Sequence, residues 1–215
     1  MSDTANSDTS SSKNNNLKLG VLISGSGSNL QAILDAIAAD TLQAEVAVVI
    51  SSKPDAYGLE RARKAGIPAI ALNPKSYENA AAFDNALLYE LHRHKVNWVV
   101  MAGYMRLLTS HVLDAYPHKV LNIHPSLLPA FAGAHAIRDA LAAKVRLTGV
   151  TVHIANEIFD EGPIIAQEAV PVLQDDTFDS LAERIHAVEH KMYPKVLQLI
   201  AEGRISVENG KVYIS

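Results

Sequence analysis

Hydrophobic and polar positions repeat along the chain with two periods, and these periods predict its secondary structure from residue 17 onward. Near-continuous apolar runs, typical of strands buried on both faces, alternate with segments whose apolar residues recur every three or four positions, as in amphipathic helices. Strands are expected at 17–24, 45–51, 69–72, 98–101, 119–121, 148–155, 163–167 and 170–172. Helices are expected at about 30–37, 55–65, 78–95, 111–116, 133–143 and 178–202.

This order of elements predicts an α/β fold. Strands that alternate with helices form βαβ units, and hence a Rossmann-like, mostly parallel sheet flanked by helices. Near the end, Asn209-Gly210 stands between two short apolar runs at 205–207 and 212–214, which is typical of a type I′ turn and predicts a C-terminal β-hairpin. No internal repeat or linker interrupts residues 17–215, so we expect one domain over that range.

Residues 1–16 have a different composition. They are mostly Ser, Asn, Asp and Thr with a single Lys, too polar to bury a core, and we expect a disordered tail. The segment lacks the basic start and apolar centre of a signal peptide, so a cytoplasmic location is expected.

Composition and charge narrow the classes of function. The chain has 215 residues, 48% hydrophobic and 20% charged, which is a globular composition. A net charge of −4 gives no electrostatic footprint for nucleic acid or an anionic membrane, and no apolar run approaches the ~20 residues that a membrane-spanning helix needs. The absence of cysteine excludes thiolate nucleophiles, zinc–thiolate sites and disulfides. Whether the protein is a monomer or a homodimer stays open.

The first candidate site follows the first strand. Gly25 and Gly27 permit a tight turn with close ligand approach, and Ser28 or Asn29 could cap the helix that follows. A strand, a glycine turn and a helix N-terminus together aim free backbone N–H groups at an anion. The turn is neither a Walker loop nor a complete G-x-G-x-x-G, and a plain strand-to-helix turn is the alternative.

The second candidate site is the segment from Asn122 to Pro129, around which we expect the chain to be organised. Pro125 and Pro129 predict a rigid loop at the carboxyl end of a strand, the edge where open α/β sheets bind ligands. Asn122 and His124 are two positions apart on an extended backbone, so their side chains share one side. A structural histidine is the alternative reading of His124.

Asn122 and His124 could act together with Asp160, which lies in an acidic loop at 156–162. A carboxylate near an imidazole favours its charged form, which can donate a proton to a developing oxyanion. Asn122 could donate a hydrogen bond to the same oxygen, a contribution of about 3 kcal/mol to the barrier. Because Ser126 lacks a G-x-S-x-G elbow and there is no cysteine, we predict direct attack by a substrate nucleophile on a carbonyl.

The third candidate site is His186-Ala187-Val188-Glu189-His190, which spells the H-x-x-E-H signature of inverted zinc peptidases. Such a site needs a third protein ligand, and little chain remains downstream to supply one. The alternative, which we favour, is that His186 and Glu189, on one helical face, hold polar groups of a substrate. No metal is therefore expected.

Taken together, four motifs carry a resemblance to a known family: residues 23–30, 103–106, 122–129 and 160–163. From about Lys18 to Arg204 the chain closely resembles the phosphoribosylglycinamide formyltransferases, folate-dependent enzymes of purine biosynthesis. The resemblance implies the formyltransferase fold. It also implies transfer of the formyl group of 10-formyltetrahydrofolate, the cosubstrate, to the amine of glycinamide ribonucleotide.

The resemblance also implies roles for individual residues. Asn122 would bind the formyl oxygen, His124 would donate a proton, and Asp160 would keep the imidazole protonated. The residues matching the ribonucleotide site are Gly27, Ser28, Asn29, His186, Ala187, Val188 and Glu189. The residues matching the folate site are Met105, Arg106, Leu107, Leu108, Asn122, Asn156, Glu157, Ile158, Phe159 and Asp160.

The chain departs from the family pattern at a few positions. Ala80 stands where bacterial relatives often carry an arginine that contacts the folate, and Ala132 and Ala134 replace the usual Pro and Leu ahead of His135. Asn156 replaces a common Asp. None of these belongs to the catalytic trio, so the departures bear on folate affinity.

Three other functions fit parts of the pattern. Formyltetrahydrofolate hydrolases share the trio but usually carry an N-terminal regulatory domain, which sixteen polar residues cannot form. Methionyl-tRNA formyltransferases add a basic domain that holds tRNA, unlike this acidic chain. A non-catalytic folate- or nucleotide-binding module would have no use for a histidine paired with a carboxylate.

Overall fold

The computed structural model describes residues 17–215; the predicted tail at 1–16 lies outside this range. Nine strands and six α-helices follow one another there, with a short 3₁₀ helix at Pro74–Ser76 that we did not predict. The strands are β1 Leu17–Ile23, β2 Ala44–Ser51, β3 Ala69–Ala71, β4 Trp98–Met101, β5 Val120–His124, β6 Leu147–Ile154, β7 Ile164–Pro171, β8 Ile205–Glu208 and β9 Lys211–Ile214. The helices are α1 Ser28–Ala38, α2 Tyr57–Lys64, α3 Ala80–Arg93, α4 Ser110–Ala115, α5 Ala136–Ala142 and α6 Phe178–Ala201.

Seven strands form one sheet in the order β3-β2-β1-β4-β5-β6-β7. The first five are parallel, whereas β6 and β7 pair antiparallel, which confirms the predicted mostly parallel sheet. The C-terminal hairpin of β8 and β9 is also confirmed, and Asn209 and Gly210 both have positive φ, as a type I′ turn requires.

The core forms on both faces of the sheet because its central strands are apolar on both sides. Leu19, Val21 and Ile23 of β1 are fully buried, and Leu22 faces a second cluster formed with α3. A Cβ on Gly20 would lie 2.5 Å from Leu91 Cδ2, so the glycine permits α3 to approach the sheet closely.

Helix α6 covers the other face and is tied to the sheet by a buried tyrosine. The hydroxyl of Tyr193 lies 2.9 Å from the carbonyl oxygen of Met101 and 3.1 Å from that of Leu121. Burial raises the pKa of Tyr193 far above its ordinary value, so the hydroxyl stays neutral and can donate. This contact fixes α6 beneath the end of β4 and the start of β5.

Some predicted boundaries were wrong. We placed Asn122 and His124 in a loop, but both belong to β5, because β6 pairs with this segment and extends it to His124. The helix predicted from residue 133 begins at Ala136, and the one predicted from residue 55 begins at Tyr57. None of the helices described in residues 17–215 has the length and apolarity needed to cross a membrane.

Candidate active site

A cleft of about 630 Å³ opens at the carboxyl ends of the central strands. After β1 the chain forms β2 and β3 on one side of β1, and it then crosses to form β4 on the other side. The connections that follow β1 and β4 therefore run in opposite directions. Such a topological switch point leaves a crevice in which open α/β sheets bind ligands. Segments after β1, β4, β5 and β6, together with part of α6, line it.

The turn after β1 forms one end of the cleft. Gly27 adopts φ 70° and is itself the N-cap of α1, with no side chain capping the helix, so our expectation that Ser28 or Asn29 would be the cap was wrong. A Cβ on Gly27 would lie 2.7 Å from Gly58 Cα, which shows how closely α2 approaches the turn. At such a helix start the first N–H groups have no intrahelical acceptor, so they remain able to bind an anion.

Helix α2 holds this turn in place. The Gly58 N–H donates to the Gly25 carbonyl at 3.1 Å, and Arg61 Nε donates to the Ser26 carbonyl at 2.9 Å. Both hydrogen bonds are accepted by carbonyl oxygens of the turn. Neither of them uses an N–H group of the turn.

Asn29 joins the turn to α6. Its Nδ2 donates at 2.9 Å to Oε2 of Glu189, which also accepts from His186 Nδ1 at 2.9 Å. Glu189 is buried, with 4% exposure, yet it lines the cleft, and the buried Asn29 Oδ1 has no hydrogen-bond partner among the described residues. The hydrogen bond to Glu189, partly offset by burial, raises the pKa of His186 above its ordinary value.

Two neighbours on α6 do not share this environment. Ala187 is exposed and lines a shallow groove outside the cleft, and Val188 packs against the core. The structure therefore brings His186 and Glu189 to the predicted ribonucleotide end but not these two residues. Across residues 17–215, no group of three or more His, Asp or Glu side chains is placed to hold a metal ion.

Asn122, His124 and Asp160 meet in the middle of the cleft. Asn122 Nδ2 lies 3.4 Å from Asp160 Oδ1, and His124 Nδ1 lies 3.3 Å from Asp160 Oδ2. His124 and Asp160 are both at least nine-tenths buried, so water screens their interaction little. The three side chains come from the end of a central strand and from a loop, and their atoms point toward one small region.

The other ring nitrogen of His124 fixes the orientation of the imidazole. Nε2 lies 2.8 Å from the carbonyl oxygen of Phe131, which can only accept, so Nε2 carries a proton. Nδ1 therefore faces Asp160 and the cleft. A proton on Nδ1 would lie within reach of the Asp160 carboxylate, which can only accept.

Asp160 is held by its backbone and by several donors. Its φ of 58° is left-handed, and the Gly133 N–H donates to Oδ2 at 2.8 Å. Burial disfavours the charged carboxylate. The neighbouring His153 ring, the Gly133 N–H and the His124 ring outweigh burial and lower the pKa of Asp160. The carboxylate is therefore charged at neutral pH.

His153 is a cleft residue that we did not single out from the sequence. It is cross-strand partner of Asn122, whose Nδ2 lies 3.1 Å from its Nε2. Its Nδ1 lies 3.1 Å from the Ile154 carbonyl, so Nδ1 carries a proton, and its Nε2 faces both Asn122 and, at 3.7 Å, Asp160 Oδ1. The alternating pattern places His153 on the polar side of its strand with Thr151, and only the tertiary structure shows that this side is buried.

Apolar side chains form the opposite end of the cleft. Most of them come from the segments at 105–108 and 156–160, which were predicted to bind the folate. Met105, Ile158 and Phe159 are each more than half exposed although they line it, as expected of a wall for an apolar ligand. Leu107, Leu108 and Asn156 also line the cleft.

Two residues predicted for the folate site lie elsewhere. The Arg106 guanidinium lies over the Phe83 ring, with Cζ 5.1 Å from the ring centroid. Glu157 is exposed and does not line the cleft. Of the departures from the family pattern, Ala134 lines the cleft, whereas Ala80 is the first residue of α3 and does not.

Known proteins resemble the chain over almost all of its described length. A family model described as formyl transferase matches residues 17–197. The chain is 45% identical over 181 residues to phosphoribosylglycinamide formyltransferase from Bacillus subtilis, covering 84% of this chain and 93% of that protein. It is 46% identical to the bovine trifunctional purine biosynthetic protein adenosine-3, covering 91% of this chain but only 19% of that much longer protein.

The structure agrees with the sequence comparison. The fold superposes on a crystal structure of glycinamide ribonucleotide transformylase 1 from Symbiobacterium toebii with a TM-score of 0.90, at 52% identity and over 93% of this chain and 94% of that one. An identity of this size over nearly the full length of both chains reflects common descent of the whole domain. The chain belongs to the formyl transferase family.

Proposed function

We propose that the protein transfers the formyl group of 10-formyltetrahydrofolate to the amine of glycinamide ribonucleotide, yielding formylglycinamide ribonucleotide and tetrahydrofolate. One observation carries the proposal: a single cleft has the start of helix α1 at one end, an apolar wall at the other and Asn122, His124 and Asp160 between them. The similar proteins from Bacillus subtilis and Symbiobacterium toebii, a phosphoribosylglycinamide formyltransferase and a glycinamide ribonucleotide transformylase, support the same reaction.

The ribonucleotide is expected at the end formed by the turn after β1. Its phosphate would accept hydrogen bonds from the N–H groups of Gly27, Ser28 and Asn29 at the start of α1. Glu189 has one carboxylate oxygen engaged by Asn29 and His186, which leaves Oε1 able to accept from a ribose hydroxyl.

The folate is expected at the apolar end. The pterin ring is flat and apolar on its faces, which suits the side chains of Met105, Leu107, Leu108, Ile158 and Phe159. Polar edges of such a ring need hydrogen-bond partners, which backbone groups of the loop at 155–160, beside the cleft, can provide.

The chemical step follows from the trio at the junction of the two ends. The ribonucleotide amine attacks the formyl carbon, a C–N bond forms, and the carbonyl oxygen becomes an oxyanion. The oxyanion would share with the Asp160 carboxylate the protons of Asn122 Nδ2 and His124 Nδ1, which lie 3.4 and 3.3 Å from its two oxygens, and Asp160 would stabilise the charged ring. The tetrahedral species then collapses: the bond from the formyl carbon to N10 breaks, the amine loses one proton and N10 gains one.

The proposal is tested by mixing the protein with 10-formyltetrahydrofolate, with and without glycinamide ribonucleotide, and following the absorbance change of the folate. We expect turnover only when both substrates are present, with formylglycinamide ribonucleotide as product. Folate release without ribonucleotide would instead identify a hydrolase, and binding of both ligands without turnover would identify a binding module.

A further inference from the structure

Three polar residues form a row across the antiparallel part of the sheet. His124 of β5 is the cross-strand partner of Thr151 of β6, and Thr151 is the cross-strand partner of Gln167 of β7. Directly paired residues place their side chains on the same face of a sheet. The row therefore runs from the proposed proton donor to the outermost strand of the sheet.

The Thr151 hydroxyl uses its full hydrogen-bonding capacity on the loop that follows β5 and on Gln167. It donates to the Ser126 carbonyl at 2.7 Å, and it accepts from the Leu128 N–H at 3.1 Å and from Gln167 Nε2 at 3.0 Å. A hydroxyl has one proton and two lone pairs, so no capacity is left. Thr151 is completely buried, and no water is needed to explain its contacts.

Gln167 completes the arrangement. The two protons of its Nε2 are directed to Thr151 Oγ1 and to the Leu128 carbonyl, 2.9 Å away. The N–H and the carbonyl of Leu128 are thus both held by this pair of side chains. Ser126 adds a bond within the loop from its hydroxyl to the Ala130 carbonyl at 2.5 Å.

The loop held in this way supplies the acceptor for His124. One residue after Ala130, Phe131 adopts a left-handed φ of 54° and presents its carbonyl to His124 Nε2 at 2.8 Å. That bond decides which ring nitrogen faces Asp160 and the cleft. A displaced loop would leave Nε2 without its acceptor and free the imidazole to rotate or change tautomer.

We propose that Thr151 and Gln167 are positioning residues for His124, acting through the 125–131 loop and the Phe131 carbonyl. Neither residue lines the cleft. Their contribution is to the orientation of the proton donor and hence to formyl transfer, while the ribonucleotide end is left unchanged. The kinetic part of this inference rests on the proposed function.

Three substitutions separate this role from a general loss of packing. Thr151→Val keeps the shape but removes the hydroxyl, Thr151→Ser restores it, and Gln167→Glu removes both amide donors at nearly constant volume. Thr148→Val is the matched control. Thr148 is equally buried on the same strand, and its hydroxyl has no hydrogen-bond partner among the described residues.

The first measurement is steady-state kinetics, with circular dichroism to confirm folding. We expect Thr151→Val and Gln167→Glu to lower kcat by roughly 10- to 100-fold, the range for small misplacements of a reacting group. The KM for the ribonucleotide should stay within about twofold of that of the unmodified protein, because the contacts that bind this substrate are not changed. Thr151→Ser and Thr148→Val should remain close to the unmodified protein.

The second measurement does not depend on activity. With ¹⁵N-labelled histidine, NMR should show a slowly exchanging Nε2 proton on His124, lost or shifted in Thr151→Val and Gln167→Glu and retained in Thr151→Ser. An unchanged His124 signal in folded Gln167→Glu would overturn the inference, as would a kcat no lower in either variant than in Thr148→Val. If the unmodified protein has no transferase activity, the proposed function fails while the NMR result still decides this inference.

Discussion

Asp160 Oδ2 lies 3.3 Å from His124 Nδ1, so a carboxylate carried by a loop faces an imidazole at the end of a central strand. The pair is buried, and the second ring nitrogen is bonded to a backbone carbonyl. The imidazole therefore has one orientation and one open direction, toward the cleft.

Replacing His124 by alanine should abolish turnover and leave ribonucleotide binding nearly unchanged. The proposed phosphate contacts are backbone N–H groups after β1, which do not depend on His124. Calorimetric titration with the ribonucleotide, beside the kinetic assay, checks both parts. His111→Ala, which changes an exposed histidine on α4, is the control. Loss of binding together with turnover would mean that His124 is structural.

Replacing Asp160 by asparagine should lower kcat by about 100-fold or more, because a charged group that stabilises the transition state is lost. The pKa of Asp160 is below its ordinary value, since contacts with His153, Gly133 and His124 outweigh burial, so the variant differs in charge over the whole neutral range. The dependence of kcat on pH should also change, because the imidazole of His124 no longer faces a carboxylate. A profile identical to that of the unmodified protein would remove Asp160 from its proposed role.

Replacing Gly162 by alanine should misplace Asp160. A Cβ at this position would lie 1.7 Å from the Ile154 carbonyl oxygen, so the backbone between Asp160 and Pro163 must move away from β6. We expect a loss of about 1–3 kcal/mol in the free energy of unfolding, typical of overpacking, and a fall in kcat. Thermal unfolding and kinetics measure these effects, with exposed Glu161→Ala as the control. Equal kcat in the two variants would show that the loop adapts without moving the carboxylate.

Replacing Glu189 by glutamine should lower the pKa of His186, because the hydrogen bond to Glu189 is the main cause of its elevation. A histidine whose pKa is raised in the folded state stabilises the protein fully below its unfolded pKa of about 6.5 and loses that contribution as pH rises through the folded pKa. The difference in unfolding free energy between the two proteins should therefore shrink above neutral pH. NMR titration of His186 measures the shift directly.

The matched control for this experiment is Glu183→Gln, which changes an exposed carboxylate on the same helix. It should leave the titration of His186 unchanged. A His186 titration that is the same in Glu189→Gln and Glu183→Gln would show that net charge, rather than the hydrogen bond, governs the histidine.

The apolar pattern determined most of the secondary structure because these strands are buried on both faces and so have a distinctive sequence. The apolar runs at 19–23 and 46–50 are typical of central strands, and both are buried in the core. The pattern failed at Asn122 and His124. Polar residues followed by Pro125 are typical of a loop, and only the pairing with β6 makes them part of a strand.

By itself, the sequence determined the α/β class, the glycine turn after β1 and the residue types able to stabilise an oxyanion. Each of these depends on local preference, which neighbouring residues fix. Only the tertiary structure decided that Asp160 reaches His124, that His153 joins Asn122, and that Thr151 and Gln167 hold the loop carrying Phe131. Those contacts depend on strand order and register, which are set by burial of the whole sheet rather than by any single segment.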